Sequence, residues 1–142
     1  MVYSLAIGIQ KLKMPLVTVK LNDFDLTFLI DTGATHNTIA SFVYEQMGEA
    51  FVELKETYKV MGIEGEYQDV IMVKATLEIE KTKITTNFSV VDMSDAVLQL
   101  QEETGLQLHG LLGIPFLVEN NCVIDFQKQE FVMPEEKNNS IN

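Results

Sequence analysis

Phe28-Leu29-Ile30-Asp31-Thr32-Gly33-Ala34-Thr35 sets an acidic residue at the end of an apolar run and follows it with small residues that can turn tightly. Phe28 to Ile30 reads as a buried strand. Gly33 permits a backbone conformation or a close approach that a side chain would block, and Thr32 supplies a hydroxyl to hold the loop. A strand ending on such a loop presents its carboxylate for chemistry. The bland alternative is an aspartate that caps its own strand-to-turn loop, for which the same residues suffice.

Outward from the loop the pattern is mostly period two. Leu16-Val17-Thr18-Val19-Lys20-Leu21 and Leu26-Thr27-Phe28-Leu29-Ile30 flank the turn signal Asn22-Asp23, so a hairpin delivers Asp31 at its exit. Ala40 to Met47 predicts a short helix ended by Gly48. From Val70 to Ile79 the apolar Ile71, Val73, Ala75, Leu77 and Ile79 alternate with polar residues, which predicts a half-buried strand. Glu80-Lys81-Thr82 reads as a turn, and Ile84, Phe88 and Val90 mark a further strand to Asp92. Ser94 or Asp95 caps a helix running to Glu103, with Val97, Leu98 and Leu100 as its buried side and Gly105 as its stop. Pro115 suits the first turn of another short helix. Val123–Phe126 and Phe131–Met133 then form a closing hairpin, and the polar tail from Glu135 to Asn142 reads as frayed.

Far downstream of the aspartate, His109-Gly110-Leu111-Leu112-Gly113-Ile114-Pro115-Phe116-Leu117 supplies a second apolar pair followed by glycine. The two segments together resemble the retropepsin-type aspartic proteases, in which an apolar-Asp-Thr-Gly-Ala loop is threaded past an apolar-apolar-Gly segment before a short helix. The resemblance extends over residues 14–133 in the order of elements. Its specific identities are Asp31-Thr32-Gly33-Ala34-Thr35 and Gly110-Leu111-Leu112-Gly113.

The resemblance implies an all-β fold with short helices, closed into an acid-protease-type barrel, with residues 1–142 as a single domain acting as a homodimer. It implies an aspartic endopeptidase acting on a peptide or protein substrate without a cofactor. Asp31, Thr32 and Gly33 are then the catalytic residues, Thr32 bonding to its partner across the dimer and the Gly33 backbone lying close to the attacking water. Gly110, Leu111, Leu112 and Gly113 support the site. Tyr58 to Tyr67 stands where the family places its flap, so Met61, Gly62, Ile63 and Gly65, with Ala34 from the loop, would contact substrate. Glu64 and Glu66 depart from the uncharged flaps of retroviral members.

Chemistry sets a count. Proteolysis by carboxylates needs two of them sharing a proton, one acting as base on a water while the other donates to the scissile carbonyl. The chain has one such loop: Asp125 lies in a strand with no glycine after it, and Glu103-Thr104-Gly105 follows a helical pattern. If the chain is such a protease, Asp31 must meet the Asp31 of a second copy across a two-fold axis.

Composition narrows the rest. A chain of 142 residues with 46% apolar residues can bury one core. Its net charge of −11 argues against nucleic-acid or anionic-membrane binding, which need clustered Lys and Arg. The one cysteine, Cys122, sits in an apolar run and reads as a small core residue. No basic residues precede the apolar Val2–Ile9, and no stretch reaches the roughly 18 apolar residues of a membrane span, so the expected location is cytoplasmic. His36 and His109 lack Cys or Glu partners at ligand spacing, and no metal is expected.

Two other readings stay open at this point. One is the same barrel as a non-catalytic peptide-binding or assembly module, favoured by a negative charge that doubles on dimerisation and opposes it. A plain barrel without a site is the third. An intact Asp31-Thr32-Gly33 speaks against the module, and a test of Asp31 reactivity separates the three.

Overall fold

The hairpin expected before Asp31 forms as β2 (Leu16–Leu21) and β3 (Phe24–Ile30), in the antiparallel register Leu16↔Leu29 to Leu21↔Phe24. Its turn residues Asn22 and Asp23 both take positive φ, 45° and 70°, the pattern whose twist matches paired strands. The computed structural model of the chain describes residues 1–61 and 67–134. Within them, β4 (Thr38–Ala40), α2 (Ser41–Gln46) and a 3₁₀ turn at Gly48–Ala50 follow the loop. Next come the long strands β5 (Val52–Met61), β6 (Tyr67–Ile79) and β7 (Thr82–Val91). The chain continues through α3 (Ser94–Thr104), β8 (Gly110–Leu112) and α4 (Ile114–Glu119) to a short hairpin, β9 (Val123–Asp125) and β10 (Glu130–Val132).

The strands run in the order β2-β3-β8-β4-β7-β6-β5, and Lys20 of β2 pairs with Glu78 of β6. That contact joins the first strand to the sixth and closes a barrel, leaving β5 outside on the free side of β6. Two pairings are parallel, β3–β8 and β4–β7. Alternation sends Val17, Val19, Phe28, Ile30, Val73, Leu77 and Phe88 inward, all at most 4% exposed. Phe28 and Phe88 meet edge to face with ring centroids 5.9 Å apart.

Ile71, expected on the buried side of β6, is 40% exposed, while Val70 and Met72 on the opposite face are buried. This end of β6 pairs with β5, whose register shifts between Glu53 and Thr57, and there the alternation of β6 breaks: Met72 and Val73 are sequence neighbours and both are buried. In α3, Ser94 is the first helical residue and not the cap. Asp92 takes the capping part, its Oδ1 accepting from the Ser94 hydroxyl and, at 2.9 Å, from the Ser94 N–H, which together hold its carboxyl below the usual range. Only Val97 of that helix is buried, and Leu98, one position round from it, is 57% exposed. The stop at Gly105, with φ 77°, is as expected.

The N-terminal segment divides into β1 (Val2–Ser4) and α1 (Ala6–Leu12), the latter unforeseen. Gly8 explains the packing of α1: a methyl group there would lie 2.6 Å from the Met14 carbonyl oxygen. β1 pairs with β10, and β10 with β9, so both described ends of the chain enter one three-stranded sheet.

Candidate active site

Asp31 is the first residue beyond β3, half-buried, with Thr32 and Gly33 exposed after it. Its N–H donates to the Leu112 carbonyl at 2.9 Å, its Oδ1 accepts the Gly33 N–H at 2.9 Å, and its carbonyl accepts the Ala34 N–H at 3.1 Å. The side-chain contact is the aspartate-turn expected of any capping residue. What sets this loop apart is the second segment against which it is laid.

That segment is β8 and the two residues after it. β8 runs parallel to β3 with Phe28↔Gly110, Leu29↔Leu111 and Ile30↔Leu112, and antiparallel to β4 with Thr38↔Leu111. The Ile114 N–H donates back to the Ala34 carbonyl at 2.9 Å. Both glycines are required by proximity. A methyl group at Gly110 would lie 2.5 Å from the Thr38 carbonyl oxygen and 2.7 Å from the Phe28 ring; at Gly113 it would lie 2.4 Å from the His36 carbonyl oxygen and 2.8 Å from that of Ala34. Gly-Leu-Leu-Gly is thus the imprint of a loop wrapped closely over a strand end. Leu29 and Leu111 are register partners in this pair and both are half-buried, an apolar shelf that the sequence pattern alone did not distinguish from ordinary strand residues.

Asn37 was also missed. It is 3% exposed, its Oδ1 accepts the N–H groups of Gly113 at 3.0 Å and Phe116 at 3.1 Å, and its Nδ2 donates to the Asn87 carbonyl at 3.1 Å and Thr86 Oγ1 at 3.3 Å. The available signal was a polar side chain directly before the apolar Thr38-Ile39-Ala40, where burial demands partners.

The two histidines sit apart in role. His36 is half-buried, with Nδ1 3.1 Å from Thr35 Oγ1. His109 extends the β3–β8 ladder: its N–H donates to the Thr27 carbonyl, and the Thr27 N–H donates to its Nδ1, each at 2.9 Å. Burial holds its pKa below the ordinary imidazole value. Cys122 is half-buried, its thiol pushed up to about 11, which suits a packing role.

The two lookalike carboxylates are engaged elsewhere. Asp125 Oδ1 accepts the Lys128 N–H at 2.9 Å across the β9–β10 turn, and Glu103 accepts from Gln99 at 3.2 Å along α3. Among the described residues no group of three or more His, Cys, Asp or Glu could hold a metal ion. Of the segment expected to form a flap, β5 and β6 are antiparallel with Met61 opposite Tyr67, and Gly62, Ile63 and Gly65 lie outside the described residues. No described helix is long and apolar enough to cross a membrane.

Residues 17–116 match the family model described as aspartyl protease. The chain belongs to that family. Solved structures agree with this aspartyl protease in fold. The retroviral protease-like domain of Ddi1 from Leishmania major superposes with a TM-score of 0.59 at 13% identity, over 84% of this chain and 89% of that one. EIAV protease in complex with the inhibitor HBY-793 gives 0.52 at 21% identity, over 76% and 88%. None of the curated proteins matches. The retropepsin-like family, expected from the two glycine-bearing segments, is therefore the family of this protein, and its barrel is the retropepsin-like one.

Proposed function

We propose that this aspartyl protease is an endopeptidase whose active unit is a homodimer, with one Asp31 from each subunit sharing a proton. The supporting observation is that Asp31 stands at the chain surface in a loop fixed by its own strand pair, with Thr32 and Gly33 exposed, while Asp125 and Glu103 are occupied in turns and helix contacts. Two carboxylates about 3 Å apart cannot both ionise cheaply. One stays protonated to polarise the scissile carbonyl while the other draws the proton from water.

Thr32, exposed in a single copy, is free to bond across the two-fold axis, and the Gly33 backbone flanks the reacting water. Leu29 and Leu111 would receive an apolar substrate side chain next to Ala34. Met61, Gly62, Ile63 and Gly65 would close over the peptide as a flap. Residues 14–133 would constitute the working domain.

Asp31→Asn is the decisive variant. An asparagine oxygen can still accept the Gly33 N–H, so the fold survives, while base and shared proton are lost and turnover falls at least about 1,000-fold. Comparable peptide hydrolysis by parent and variant between pH 4 and 6, with matching circular dichroism, would leave the non-catalytic peptide-binding module as the better reading.

A further inference from the structure

Asn37 uses every hydrogen-bonding position it has. A side-chain amide offers two donors and two acceptor sites, and all four are filled, by Gly113, Phe116, Asn87 and Thr86, in a site 3% exposed. These partners lie on three separate parts of the chain: the segment after β8, the first turn of α4, and β7. Asn37 itself ends the loop that begins at Asp31. The loop is thus pinned to the β8 exit at its start by the Asp31 N–H on the Leu112 carbonyl, in its middle by the Ile114 N–H on the Ala34 carbonyl, and at its end by the Asn37 side chain. The first two are main-chain bonds that use no side-chain atom. The third depends on one residue.

We infer that Asn37 is a positioning residue for Asp31: it fixes where the 31–36 loop crosses Gly113, and through that crossing the position of the carboxylate. The inference rests on the protease reading above. The orientation of the amide matters, because the oxygen must face the two N–H groups and the nitrogen must face the Asn87 carbonyl. A hydrocarbon of the same shape would strand two buried N–H groups. A carboxyl would satisfy them in both protonation states, but only when protonated could it also donate to the Asn87 carbonyl. Ionised, it would set negative charge against that oxygen in a buried site, and the loop would be driven off its seat.

Asn37→Asp therefore converts a fixed contact into one that titrates. With the new carboxyl protonated, in acid, the variant should hydrolyse peptide near the parental rate. As pH rises and the carboxyl ionises, kcat should fall by about 100-fold, the loss expected for a displacement of about 1 Å, while KM changes little because the substrate shelf on β3 and β8 is untouched. Hydrogen exchange at the Asp31 and Ala34 amides, whose bonds Asn37 does not make, should accelerate over the same pH interval. Asn37→Gln, too long for the site yet able to offer the same groups, should not restore the parental rate. Parental kcat and protection in Asn37→Asp across pH 4 to 7 would overturn the inference. Should Asp31→Asn retain turnover, or the parent have none, the protease reading fails, and the exchange arm decides alone: loss of protection at Asp31 sustains the positioning role, and unchanged protection refutes it.

Discussion

Gly113→Ala tests the wrapped loop directly. A methyl group at this position would lie 2.4 Å from the His36 carbonyl oxygen, 2.8 Å from that of Ala34 and 2.9 Å from the His36 carbonyl carbon, and ordinary contact begins near 3.4 Å. The nearest atom must retreat by about 1 Å. All three atoms are main chain, so no side-chain rotation gives relief, and both oxygens belong to the loop that carries Asp31. Overpacking of this kind costs about 1–3 kcal/mol. For a chain of this length that lowers Tm by roughly 3–15 °C. The functional loss is larger in proportion, since a shift of about 1 Å in a catalytic group reduces rate by about 100-fold. Thermal unfolding followed by circular dichroism and kcat on a peptide substrate are the two readings. Gly48→Ala serves as control, because a methyl group there meets nothing within 4 Å. If Gly113→Ala melts within a degree of the control and turns over at the parental rate, the close crossing of loop and strand end is not what holds Asp31.

His109 gives a pH-dependent expectation. Its folded-state pKa lies below the ordinary value of 6.5, so its contribution to stability is complete above about pH 6.5 and is lost as pH falls through the depressed folded value. His109→Asn, which keeps an acceptor for the Thr27 N–H but cannot titrate, should flatten the acidic decline of Tm; parallel curves for parent and variant would exclude the contact as its cause. Specific activity should fall on dilution, as expected of a site built from two subunits, and should recover with added salt. A sedimenting monomer with concentration-independent specific activity would rule out the shared pair.

Legibility in the sequence followed the range of the interactions. The hairpin turn at Asn22-Asp23, the stop at Gly105 and the strand from Thr82 are local events, written in residues that tolerate positive φ or alternate in polarity, and they could be read directly. Asp31 and the Gly110–Gly113 segment were legible because close backbone approach leaves glycines behind. Asn37 was not, since a buried amide is recognised by partners at Gly113, Phe116 and Asn87, none of which is near it in sequence. Leu98 was placed on a buried side by periodicity, which reports the face of an element and not how far the neighbouring layer extends over it, and Ile71 by an alternation that breaks where β5 shifts register. Helix α1 escaped because its seven residues are bounded by Leu5 and Lys13, neither a capping residue by type, and are held by the fit of Gly8 under Met14.

The bonds that fix the Asp31 loop all lie within one chain, and this bears on how an active unit would assemble. Leu112, Ile114 and Asn37 hold the loop before any partner arrives, so association need not supply the ordering that usually subtracts from binding free energy. Each subunit would bring a finished half-site, with Thr32 and Gly33 already exposed for contact. What opposes assembly is then mainly charge: a net −11 on each copy repels at long range, and such repulsion is screened within about 8–10 Å at moderate ionic strength. The proposed enzyme should for this reason be governed by salt and concentration at the level of assembly, and by Asn37 and Gly113 at the level of each half-site. Variants at those two positions should lower turnover at saturating protein without shifting the dilution midpoint, and salt should shift the midpoint without changing turnover at saturation. A Gly113→Ala protein whose only defect is a weakened dimer would contradict that division, because the loop would then depend on the partner for its shape.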